Sequence, residues 1–160
     1  MASEEKPPYT FLAFRSVTEG RPIHRWFNPL PEEDREEIVD LLDSLQKVQD
    51  RRWPKEVFDP LKGAEGISEI KIPNLKRFRD GKFKIITYRI YGFFGPYNSC
   101  YTFLHAAEKD VKNDRIGKQI AEGRLEELRR EFPGGTVSVY KFEYEEEPHP
   151  QDEEGARRTN

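Results

Sequence analysis

Residues 71–89 read KIPNLKRFRDGKFKIITYR. They hold seven Lys or Arg and one acid, Asp80. The stretch otherwise reads largely as sheet, in which successive side chains point to opposite faces. Ile70 and Ile72 fall on one face of a first run, Ile67–Pro73, with Glu69 and Lys71 on the other. Asn74–Gly81 reads as a basic loop, and Lys82–Tyr91 as a second, longer strand. GFFGPYN, residues 92–98, turns the chain into a third strand, Tyr97–Ala106. Strands joined by short Gly/Pro turns predict an antiparallel meander.

On the N-terminal side, YTFLAFRSV (Tyr9–Val17) is apolar enough for a first strand, and Gly20 and Pro22 break it. LPEEDREEIVDLLDSLQKV, residues 30–48, carries Ile38, Leu41, Leu42, Leu45 and Val48 on one stripe and predicts a helix. Pro31 suits its opening position, and Glu32, Glu33 and Asp34 suit the positive end of its dipole as a solvated acid cluster. A short second helix is expected between Arg51 and Gly63. On the C-terminal side, Lys112–Arg130 is the second long helix, with Ile116, Ile120, Leu125 and Leu128 as its stripe, ended by Pro133-Gly134-Gly135. Thr136–Tyr144 predicts a final edge strand. Residues 1–8 are expected to be loose and 145–160 to be a disordered acidic tail. The domain is therefore placed at residues 9–144.

Of the 160 residues, 36% are charged, well above the usual quarter, so much of the surface is solvated or engaged with a partner. The net charge is −3, yet residues 62–118 contain 12 bases and six acids. It is this local excess that a nearby phosphate feels. The single cysteine, Cys100, excludes an internal disulfide and reads as a packed thiol. The N-terminus has no signal-peptide pattern, and no apolar run approaches the ~20 residues of a bilayer span, so the chain reads as cytoplasmic. Three scattered histidines and one cysteine make no zinc set. No phosphate-loop or nucleophile-elbow motif is present, and the sequence calls for no cofactor and no metal.

Four stretches in order resemble the HigB-like, phage-derived branch of the RelE/ParE toxin superfamily. They are EGRPIHRWFNPLPEEDREEI (19–38), DPLKGAEGISEIKI (59–72), GKFKIITYRIYG (81–92) and YTFLHAAEKDVKNDRIGKQIAEGRLEEL (101–128). The resemblance implies a small α+β, RelE-like single domain. It implies a curved antiparallel sheet with helices on one face, a C-terminal helix and room for an extra edge strand. It also implies the toxin of a toxin–antitoxin pair, neutralised by a helix-turn-helix, HigA-like antitoxin, and acting as a ribosome-dependent mRNA endonuclease. ParE-like relatives instead inhibit DNA gyrase without catalysis, and a member that only binds a partner is a third reading. Three features depart from the family pattern: Lys84 where arginine is common, Asp110 in place of the second of two adjacent bases, and the acidic tail.

Metal-free RNA cleavage requires that a 2′-hydroxyl lose its proton, that charge on the phosphorane be stabilised and that the leaving 5′-oxygen be protonated. Lysine and arginine meet the second need and histidine can meet either proton step. The candidates are Lys71 and Lys84 for the phosphate, His105 for proton transfer and Lys109 in support. Lys76, Arg77, Arg79 and Lys82 are candidates for tracking the RNA backbone. Strand alternation puts Lys84 and Arg89 on opposite faces, and Arg89 reads as structural, paired with an acid on a long helix. His24 and His149 read as ordinary. Tyr88, Tyr91, Tyr97 and Tyr101 are either core residues or base-stacking platforms.

Overall fold

The computed structural model describes residues 8–64, 66–109 and 111–145, with the backbone alone for 111–113. The expectations for residues 1–7, Asp110 and the tail from residue 146 onward lie outside the described residues.

The fold is α+β, as the sequence predicts. The elements are β1 (Thr10–Ser16), α1 (Pro22–Phe27), α2 (Glu32–Gln46), a 3-10 turn (Asp50–Arg52), β2 (Phe58–Pro60), β3 (Ser68–Arg79), β4 (Lys82–Phe94), β5 (Cys100–Glu108), α3 (Val111–Glu131) and β6 (Val137–Lys141). One six-stranded sheet runs in the order β2-β3-β4-β5-β1-β6. The predicted meander is β3-β4-β5, and the predicted edge strand is β6.

Two details differ from the expected antiparallel sheet with helices on one face. β1 lies beside β5 in parallel, with Phe11 opposite Tyr101, so the sheet is mixed. The helices also cover both faces. Ile23 and Phe27 of α1 and Ile38, Leu42 and Leu45 of α2 pack on Phe11, Ile70, Ile90 and Phe103. Ala121, Leu125 and Leu128 of α3 pack on Phe14, Tyr91 and Leu104 from the other side. Tyr91 and Ile90 are neighbours in sequence yet belong to separate cores, because successive strand residues face opposite ways. A central strand coated on both faces must be apolar throughout, and Phe11–Phe14 of β1 meets that demand.

The expected helix between Arg51 and Gly63 is only the 3-10 turn followed by β2. Trp53 follows that turn; its indole N–H donates to the Leu45 carbonyl and its ring is buried. That anchor fixes the chain leaving α2. The predicted stripe of α3 is shifted: Leu125 and Leu128 are buried, but Ile116 is 51% exposed and Gly117 takes the inward place. Among the described residues no helix is long and apolar enough to cross a membrane.

Candidate functional site

The expected basic loop at Asn74–Gly81 is strand. β3 runs on to Arg79, Asp80 and Gly81 form the turn with φ of 52° and 75°, and β4 begins at Lys82. An Asp-Gly pair with both residues at positive φ is the two-residue turn that matches strand twist. The pair was visible between Arg79 and Lys82 as a hairpin signal. A bulge between Ile72 and Leu75, where Asn74 takes φ 57°, shifts the β3–β4 register by one residue, and pairing continues on both sides of Pro73.

Beyond the bulge the hairpin stands out from the sheet. β2 reaches only Ile70 on one side, and β5 reaches only Tyr88 on the other. Among the described residues, 75–79 and 82–86 therefore pair only with each other. One face of this overhang carries Leu75, Arg77, Arg79, Lys82, Lys84 and Ile86; the other carries Lys76, Phe78, Phe83 and Ile85.

The first face is clamped to α2. Asp34, in the first turn of α2, is fully buried. One of its oxygens accepts from Arg77 Nε at 2.5 Å. The other accepts from Arg79 Nη2 at 3.0 Å and from the Tyr88 hydroxyl at 2.5 Å. Glu33 lies 3.2 Å from Arg77, and Glu108 lies 3.1 Å from Arg79. Burial works to raise the Asp34 pKa, but the Tyr88 and Arg77 hydrogen bonds and both guanidinium charges outweigh it and hold the carboxyl below its usual range. Burial and the Asp34 hydrogen bond push Tyr88 up to about 12. The reading of residues 32–34 as a solvated acid cluster is thus corrected for Asp34, while Glu32 and Glu33 are exposed. The sequence did hold a signal: Asp34 lies four residues before Ile38, on the helix's own apolar stripe.

The predicted site residues divide accordingly. Arg77 and Arg79 are engaged by carboxylates. Lys76, Lys82 and Lys84 are exposed, with no ion pair among the described residues. Lys71 lies on the opposite face from Lys84, cross-strand from Arg89. Arg89 bridges buried Glu69 at 3.5 Å and Asp114 of α3 at 3.2 Å, the structural role expected of it. Lys84 and Arg89 do face opposite ways.

His105 shares the Arg89 face, opposite Tyr91. It lies beneath α3: a Cβ on Gly117 would come within 3.1 Å of its ring. Its Nδ1 is 3.4 Å from Arg124 Nη1, and Arg124 in turn donates to the Leu104 carbonyl and pairs with Glu19 at 3.2 Å. Burial first, then the Arg124 charge, lower the His105 pKa to about 4, so the ring is neutral near pH 7. Lys109 is exposed just past β5, its N–H donating to the Thr87 carbonyl. The sheet therefore brings Lys71, Arg89 and His105 to one face and leaves Lys84 on the other. Arg124 escaped the sequence reading because a cation on an inward helix face has no periodic signature.

The remaining aromatics are mostly core: Tyr88, Tyr91 and Tyr101 are buried, and Tyr97 is exposed against Phe132. His24 is buried and bonds Tyr140 and the Glu143 carbonyl. Compared with known proteins, the chain matches no family model and no curated sequence.

Proposed function

We propose that this chain is the toxin of a toxin–antitoxin pair, of the RelE/HigB kind, and that it engages mRNA at the ribosome in the cytoplasm through the β3–β4 hairpin. The observation that carries the reading is the projecting hairpin with Lys76, Lys82 and Lys84 on it, none of which has an ion pair among the described residues. Lysines without carboxylate partners attract phosphate with no ion pair to break first. In this reading Lys84 meets the RNA phosphate and Lys82 adds charge on the same face, while Lys71 lies on the opposite face and takes no part in that contact. His105 lies under α3 on the face opposite Lys84, so in this reading the two proton transfers of cleavage fall to groups other than this ring. The partner that neutralises the chain is a helix-turn-helix antitoxin.

A second reading, a member that binds without cutting, is favoured by one observation: His105 and Lys84 lie on opposite faces of the sheet. One experiment separates the readings. The chain is induced in a bacterial host beside Lys82→Glu/Lys84→Glu, with growth, mRNA ends and DNA supercoiling recorded, and RNA affinity is measured on the purified proteins. The toxin reading expects arrest with cut mRNA. It also expects the double variant to bind single-stranded RNA about tenfold more weakly, with a salt slope lower by ~0.7 per lysine. RNA binding without cutting supports the second reading. Loss of supercoiling with intact mRNA moves the target to gyrase. Neither arrest nor RNA binding overturns both RNA readings.

A further inference from the structure

Phe83 is 84% exposed, Ile85 69% and Phe78 63%, all on one face of the projecting hairpin. Phe78 and Phe83 form an edge-on pair with centroids 5.0 Å apart. Apolar side chains so exposed to water mark a surface built for contact. On the side away from β3 their backbone also has no strand partner among the described residues. In a hairpin closed by a two-residue turn, the flanking pair Arg79/Lys82 exchanges both hydrogen bonds, and bonded pairs then alternate. The N–H and C=O of Phe83 and Ile85 therefore point away from β3. The Lys109 N–H bond to the Thr87 carbonyl, 2.7 Å, fixes the same parity one step further along β4. β5 occupies this edge only as far as Tyr88, so the groups of Phe83 and Ile85 have no strand beside them among the described residues.

We propose that the β4 edge at Lys82–Ile86 is a docking strand for a protein segment that adds to the sheet in extended form, with apolar and acidic residues alternating. The alternation follows from the two faces. Ligand residues opposite Phe83 and Ile85 share the apolar face, and those opposite Lys82 and Lys84 share the cationic one. Carboxylates there meet lysines that have no partner among the described residues. The same charges argue against a second copy of this chain. Two β4 edges brought together would set Lys82 and Lys84 of each against the other, and like charges across strands destabilise a pair. They also argue against single-stranded RNA as the edge's occupant. A strand whose phosphates follow Lys82 and Lys84 lies on the opposite face from the rings on which its bases would stack. The competing edge, on β3, is blunted by Pro73 and the bulge. The inference goes beyond the RNA reading and does not depend on it.

The test uses the full chain and three end-blocked heptapeptides: alternating Val and Glu, alternating Val and Lys, and the Val/Glu peptide N-methylated on its protein-facing amides. Binding is read by fluorescence anisotropy, and amide exchange at Phe83 and Ile85 by NMR. The Val/Glu peptide should bind and slow exchange at both amides. The Val/Lys peptide should bind about tenfold more weakly, the sum of two ordinary cross-strand charge pairs. Phe83→Thr/Ile85→Thr, exposed and β-compatible, should weaken binding similarly while keeping RNA affinity. Equal binding of the N-methylated peptide, no slowing at the two amides, slowing of both by oligouridine instead, or concentration-dependent dimerisation through this edge would each overturn the proposal.

Discussion

Asp34 Oδ1 and Arg77 Nε lie 2.5 Å apart, joining the first turn of α2 to the projecting half of β3 across 43 residues of sequence. With Arg79 and Tyr88 on the second oxygen, one buried carboxylate ties both the turn end of β3 and the base of the hairpin to α2. Two guanidinium groups share that carboxylate, so its removal leaves two cations only partly compensated.

Asp34→Asn should therefore cost about 3 kcal/mol in urea unfolding, the range for breaking one side of a buried ion pair. Tyr88→Phe, which removes one hydrogen bond to a charged group, should cost about 1.5–3 kcal/mol. A loss below ~0.5 kcal/mol for Asp34→Asn would mean that the clamp does not hold the hairpin.

The second prediction concerns acid. His105 faces Arg124 from α3, Tyr91 from β4 and Glu19 from the β1–α1 connection. Its folded pKa of about 4 is below the ordinary ~6.5, so the unfolded chain takes up the proton first. Stability present above pH 6.5 is then lost as pH falls toward 4, by at most about 3 kcal/mol, and the loss from this group levels off below that. Asp34, held below the usual carboxylate range, adds its loss only at still lower pH. Urea midpoints from pH 7 to 4 should slope downward in the wild-type chain and be flatter in His105→Gln. An equal slope in both would refute the assignment.

Gly92 sits where β4 and β5 change register, and a Cβ there would lie 2.5 Å from the Thr102 carbonyl oxygen and 2.5 Å from the Tyr101 ring. Backbone and a buried ring cannot both yield. Gly92→Ala should destabilise the chain by about 2–3 kcal/mol, the cost of overpacking. Gly123→Ala, whose Cβ meets nothing within 4 Å, should be neutral or stabilising by up to ~1 kcal/mol, both variants being measured by urea unfolding.

The stripe of α2, the strands of β4 and β5 and the opposite facing of Lys84 and Arg89 were legible in the sequence. Each follows from a period of 3.6 or 2 acting over a few residues, and local backbone geometry enforces that period wherever the segment lies. The basic character of residues 71–89 was equally plain. Its division was not, because a charge pattern records which side chains are cationic and not which carboxylates will meet them. Asp34 is the clearest instance. Forty-three residues separate it from Arg77, and only the packing of α2 on β3 turned a helix-start acid into the buried centre of a clamp. Tertiary structure likewise set β1 in parallel beside β5, because alternation encodes a strand's faces and says nothing of its neighbour. It laid α3 over His105 and so lowered the pKa of a ring that the sequence offered as a proton carrier. Burial and the distance to Arg124 decide that pKa, and both arise only once distant segments have packed together.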